Sequence, residues 1–172
     1  MTAAATREFS GAGVHATADT EKGTINVVAD IAAPPEAVFR ALTDPKELAQ
    51  WWGAPGVYQT ERWEVDLRPG GKWVSHIKAP EGAKMGPRDE AEQLVRGEYI
   101  TVDPPRVLEY TWSPSWDGFA VTTVRCEIEP TATGSRLTLV HSGFEGPAQM
   151  ATSHGEGWVR VLGWFSEWIA KQ

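Results

Sequence analysis

The segment running through Trp158 to Lys171 constrains the fold more than any other part of this chain. Advancing about 100° per residue from Trp158, Val161, Leu162, Phe165, Trp168 and Ile169 fall on one broad arc, while Glu156, Arg160, Glu167 and Lys171 fall opposite. An amphipathic helix with so wide an apolar face gains its stability by burying that face against another element. Gly163 sits between the two faces and lowers helix stability relative to alanine, a cost that suits a close backbone approach. Trp164 lies at the edge of the charged side and is the candidate contact for a homodimer.

The rest of the chain offers a partner in segments of period two, the signature of half-buried strands. Thr24 to Ile31 sets Ile25, Val27, Ala29 and Ile31 on one side. Trp63, Val65 and Leu67 form an inward set, and after the turn Arg68-Pro69-Gly70-Gly71 so do Trp73, Ser75 and Ile77, with His76 outward. Glu98, Ile100 and Val102 are expected inward on the next strand, then Leu108, Tyr110 and Trp112 beyond Asp103-Pro104-Pro105-Arg106. Thr122, Val124, Cys126 and Ile128, and finally Leu137, Leu139 and His141, complete the pattern. Ala79 to Glu92 reads as a long loop, more simply a tolerated surface insertion than a lid at a cavity mouth.

Between the first strand and Trp63, Pro34-Pro35 starts a helix carrying Val38, Phe39 and Leu42, since proline tolerates the first turn, where its missing N–H would be unpaired. Asp44-Pro45 restarts the count, and Leu48, Trp51 and Trp52 make a second short apolar stripe before the exit at Gly53. This stretch, followed by Asp66-Leu67-Arg68-Pro69-Gly70-Gly71-Lys72-Trp73 and by Asp103 to Trp112, resembles in order and spacing the START-like (SRPBCC) superfamily, in particular its Aha-type branch. That branch is named after an activator of the heat-shock-protein-90 ATPase, and the resemblance covers roughly Thr24 to Ala170.

The resemblance implies an α+β helix-grip fold. A curved antiparallel sheet of about six to seven strands, with two short helices after strand 1, wraps a long C-terminal helix over an apolar cavity. Residues 24–172 are then one domain and residues 1–23 a mobile N-terminal tail. The superfamily hosts binders, cyclases and hydrolases, so the fold alone does not select a function. The eukaryotic activator engages its chaperone through an additional N-terminal domain, whereas only 23 residues precede the first predicted strand here.

Composition narrows the classes. With 172 residues the chain can bury the core of one ordinary domain. Its 16 basic and 23 acidic residues give a net charge of −7, with no basic cluster to displace counterions from a phosphate backbone, so nucleic acid is not expected as a partner. The single cysteine, Cys126, cannot close an intramolecular disulfide and reads as a buried small hydrophobe. No segment approaches the apolar length of a membrane span or of a secretory leader, so the chain is expected to be cytoplasmic. Nine tryptophans stand out, because indoles suit either a large core or a cavity that grips an aromatic molecule.

The expected cavity lining is therefore Trp73, Ser75, Glu98, Tyr110, Trp112, His141, Trp158, Leu162 and Phe165, and the expected ligand a small hydrophobic or aromatic molecule. His141 with Glu98 is the candidate acid/base pair if the chain is instead a cyclase-like or hydrolase-like enzyme. Chaperone-ATPase regulation or another protein-interaction role is the third alternative. His15, His76, His141 and His154 have no metal-ligand spacing, and neither a nucleophile elbow nor a phosphate-cradling loop is present, so no metal or cofactor is expected.

Overall fold

The computed structural model describes residues 6–79 and 92–172. Its elements are β1 (Thr6–Gly11), β2 (Val14–Asp19), β3 (Thr24–Ile31), α1 (Pro35–Ala41), α2 (Pro45–Trp51), β4 (Gly53–Ala54), β5 (Tyr58–Val65), β6 (Lys72–Lys78), β7 (Glu92–Asp103), β8 (Val107–Pro114), β9 (Thr122–Thr131), β10 (Gly134–Ser142) and α3 (Ala148–Ile169). Among the described residues ten strands form one antiparallel sheet in the order β1-β2-β3-β10-β9-β8-β7-β6-β5-β4. The chain is thus α+β, with α3 lying against β1, β2 and β3 and reaching α2 and β4 on the other side. A twisted sheet curls toward its apolar face, and α3 fills that concavity with Trp158, Val161, Leu162, Phe165 and Ile169.

Three strands exceed the expected seven: β1, β2 and the short β4. The first two replace much of the expected mobile tail. Val14, Ala16 and Ala18 alternate inward and are buried, facing α3, while Ala12 and Gly13 close a two-residue turn with positive φ at both positions (51° and 77°). Such a turn matches the twist of paired strands. Alanine and threonine carry so little hydrophobic contrast that the period of this hairpin is faint in the sequence.

The two short helices form as expected. Pro35 and Pro45 open them, and the Asp44 carboxylate accepts from the Lys46 backbone N–H at 2.8 Å, capping α2. The Trp51 indole donates to the Ala41 carbonyl at 2.9 Å and so fixes α2 against α1. Thr60 reaches from β5 to the Trp52 carbonyl at 2.7 Å, fixing the exit of the same helix to the sheet.

In β7 the expected inward phase holds at Val102 and is inverted before it. A register shift between Tyr99 and Thr101 leaves Ile100 as the extra residue, so Gln93, Val95 and Tyr99 are buried, while Glu98 and Ile100 are exposed. A bulge places two residues opposite one and flips every side chain beyond it. Leu67, past the end of β5, is also exposed rather than inward.

Gly97, beside this bulge, pairs with Trp73 across the β6–β7 ladder. A Cβ there would lie 2.5 Å from Trp73 Nε1 and would overlap the Thr111 carbonyl oxygen. Gly97→Ala is accordingly expected to lower the unfolding free energy by roughly 3 kcal/mol through overpacking, read from urea denaturation. An unchanged midpoint would contradict this packing.

Candidate ligand-binding cavity

Between the N-terminal half of α3 and strands β5 to β8 lies a cavity of ≈ 400 Å³. Its lining combines Trp52 at the exit of α2, Tyr58 of β5, Trp112 of β8, Trp116, and His154, Gly157, Trp158, Arg160 and Val161 of α3. Trp116 sits on the 3-10 turn Ser115–Asp117, which Ser115 anchors by accepting from the Leu94 backbone N–H at 3.1 Å. Ile77 and Gln93, on either side of residues 80–91, also line the space. The long loop expected over Ala79 to Glu92 falls on residues 80–91, which lie outside the described part of the chain.

Aromatic contacts give the wall its shape. Trp52 stacks on Trp51 with centroids 5.1 Å apart and approaches Trp158 at 5.8 Å and Trp112 at 6.0 Å. Trp112 and Trp158 are themselves 5.8 Å apart. Offset and edge-on arrangements of this kind are the favoured ones for π systems.

Below the cavity, His141 is fully buried and both its ring nitrogens are engaged. The Trp158 indole N–H donates to Nδ1 at 3.0 Å, and Nε2 lies 2.6 Å from Thr122 Oγ1, which is 3.2 Å from the Trp112 carbonyl. Since Nδ1 accepts, the proton sits on Nε2 and is donated to Thr122, whose hydroxyl passes its own proton to the Trp112 carbonyl. Burial, with His154 alongside, holds the His141 pKa well below 6.5. A second proton on Nδ1 would face the Trp158 N–H, donor against donor.

His154, which the sequence reading did not select, belongs to the cavity wall. Its Nδ1–H donates to the Met150 carbonyl at 2.8 Å, which leaves Nε2 as a buried lone pair without a partner. Burial lowers its pKa as well. Trp112 Nε1 is likewise buried and unpartnered, as are Trp63 Nε1, Trp73 Nε1 and Ser75 Oγ away from the cavity. Only its place one turn before Trp158 on the apolar arc could have revealed His154, and a single histidine on such an arc is a weak signal.

The expected lining residues separate into four groups. Trp112 and Trp158 line the cavity. Trp73 and Tyr110 instead border a pocket of only ≈ 20 Å³, filled by Trp52, Trp63, Tyr99 and neighbouring side chains. His141, Leu162, Phe165 and Ser75 are buried outside either lining; Phe165 packs on Trp51 at 4.8 Å, and Ser75 Oγ has no partner. Glu98 is exposed on the opposite face, so the His141–Glu98 pair does not form. Cys126 is buried, its thiol pushed up to about 12 by desolvation, as befits a packing residue. Among the described residues no group of acidic, histidine or cysteine side chains is arranged to hold a metal, and no helix is long and apolar enough to cross a membrane.

The comparisons with known proteins agree with this architecture. The family described as "Activator of Hsp90 ATPase homolog 1-like protein" matches residues 32–168. The chain belongs to that family. The AHSA1 protein from Silicibacter pomeroyi is 28% identical, with a TM-score of 0.70 over 86% of this chain and 97% of that one. The AHSA1-like protein from Aeromonas hydrophila is 24% identical, with a TM-score of 0.68 over 86% and 92%. A protein from Rhodobacter sphaeroides is 18% identical, with a TM-score of 0.73 over 97% and 99%, and so shares the fold. No curated protein matches the chain.

The two buried histidines tie stability to pH. Below 6.5 the unfolded chain takes up protons at His141 and His154 while the folded chain, with both pKa values lowered, does not. Their contribution is complete above that value and is lost as pH falls through the lowered folded values. Urea midpoints should therefore drop from neutral to mildly acid pH, with a shallower drop in His154→Phe. Thr122→Val strands the His141 Nε2–H and is expected to cost about 1–3 kcal/mol at neutral pH; a variant as stable as the parent would refute the relay.

Proposed function

We propose that this AHSA1-like chain binds a small apolar, aromatic molecule in the cavity under the N-terminal half of α3. The observation carrying the reading is a space of ≈ 400 Å³ walled by Trp52, Tyr58, Trp112, Trp116 and Trp158. That size falls in the range of about 300–1,000 Å³ usual for small-molecule sites, and a mostly apolar wall with a few polar atoms is their usual make-up. The pocket at Trp73 and Tyr110 is too small for such a ligand.

Gly157 supplies the test. It lines the cavity, and a Cβ built on it meets nothing within 4 Å. Gly157→Leu should fill the space from the helix side and also gain about 0.8–1 kcal/mol of helix propensity. Calorimetric titration with methylnaphthalene is expected to show saturable binding to the parent chain and a loss of at least tenfold in the variant, with the unfolding midpoint held or raised. Equal binding by both proteins would place the ligand elsewhere and end this reading.

Family membership favours one other reading, regulation of a chaperone ATPase. Stimulation of Hsp90 ATP hydrolysis by the purified chain, unaffected by Gly157→Leu, would establish it; no stimulation and no retention on immobilised Hsp90 would remove it.

A further inference from the structure

The charge around the cavity narrows its ligand. Among the described residues Arg160 is the one charged side chain of the lining, while Asp117 lies outside it and acts on His154. The chain as a whole carries a net charge of −7, so a cation as the charged member of the described lining runs against the average of the surface. Arg40, Arg62, Arg68, Arg106, Arg125 and Arg136 all sit in ion pairs with carboxylates. Arg160 has no such pair among the described residues.

Its guanidinium is nevertheless held in place. It lies 5.8 Å from the Tyr58 ring centroid and 5.5 Å from that of Trp164, whose rings meet edge to face at 5.5 Å. Aromatic faces hold a guanidinium by cation–π attraction without using its N–H donors. Tyr58 also interacts with the guanidinium through its hydroxyl, and the rest of the five guanidinium donors are left for a planar anion, which arginine recognises bidentately. Trp164, expected at the sequence level to be a dimer contact, is in this arrangement a platform for Arg160. The exposed Arg160 and Val57 mark the mouth, while the buried Trp112 and Trp158 mark the interior.

We infer that the cavity takes an aromatic acid, with its ring system inward against Trp112 and Trp158 and its carboxylate outward on the Arg160 guanidinium. The inference rests on the binding reading above and assigns its orientation. The reverse orientation would bury an anion against the indoles of Trp112 and Trp158, where it finds no compensating charge.

Three probes of one shape test it. Naphthoate carries the anion, naphthamide is its neutral planar counterpart, and methylnaphthalene lacks a polar head. Calorimetric titration of the parent chain at low salt is expected to rank naphthoate above naphthamide by about five- to tenfold, the scale of a partly exposed charge-assisted contact. Added salt should weaken naphthoate and leave methylnaphthalene unchanged. Arg160→Gln should erase the preference and Arg160→Lys retain part of it, and both exposed substitutions leave the core untouched. If naphthamide and methylnaphthalene bind as well as naphthoate, or if Arg160→Gln keeps the preference, the acid assignment is wrong while the cavity reading stands. If none of the three binds, both fall.

Discussion

One hydrogen-bonded chain holds the closing helix to the sheet. It runs from the Trp158 indole to His141, from His141 to Thr122, and from Thr122 to the Trp112 carbonyl. Its members come from α3, β10, β9 and β8, so one line of donors and acceptors crosses the whole depth of the grip. Apolar packing alone is not directional, and an indole free to slide would relax into the adjacent space. Tied through its N–H, Trp158 stays at the cavity edge, and the space beside it persists. His141 is thus a positioning group of the fold. With both nitrogens committed and its charged form disfavoured, it has no proton to exchange with a guest.

The architecture was legible where hydrophobic contrast is strong. Ile25, Val27, Ala29 and Ile31, the sets led by Val124 and Leu137, and the apolar arc of α3 fall on the faces their periods require. The paired prolines at 34 and 35, and Pro45 after Asp44, marked both short helices. Legibility failed for identifiable physical reasons. In the hairpin of β1 and β2 the first strand is almost wholly exposed and the inward set of the second is Val14, Ala16 and Ala18, too small to leave a clear period in the sequence. Glu98 was misplaced because a bulge has no reliable residue signature, and one extra residue at Ile100 exchanges the faces of β7.

The site was less legible than the fold, since a cavity is what packing leaves over. All nine tryptophans lie in or against the core, and nothing in their spacing tells which pack on one another and which border empty space. Trp73 and Tyr110 share an inward phase with Trp112, yet the first two are covered by Trp52, Trp63 and Tyr99, while Trp112 extends into the larger space. The deciding residue is Trp52, which leaves α2 at an angle fixed by the Thr60 bond and so separates a filled compartment from an open one. That partition depends on contacts far apart in sequence, beyond the reach of any local pattern.

The indoles also have an optical consequence. Trp51, Trp52, Trp63, Trp73, Trp112 and Trp158 form a connected series with centroid separations of 5.1, 5.3, 6.0, 5.9 and 5.8 Å between successive neighbours along the path 51–52–63–73–112–158. Rings this close exchange excitation faster than they emit it. Light absorbed anywhere in the series is pooled, and its emission is depolarised and governed by whichever ring offers the fastest decay. A guest touching only Trp112 or Trp158 would thereby modulate the ultraviolet emission of the whole series, so that one contact at the cavity wall is read out by rings it never meets.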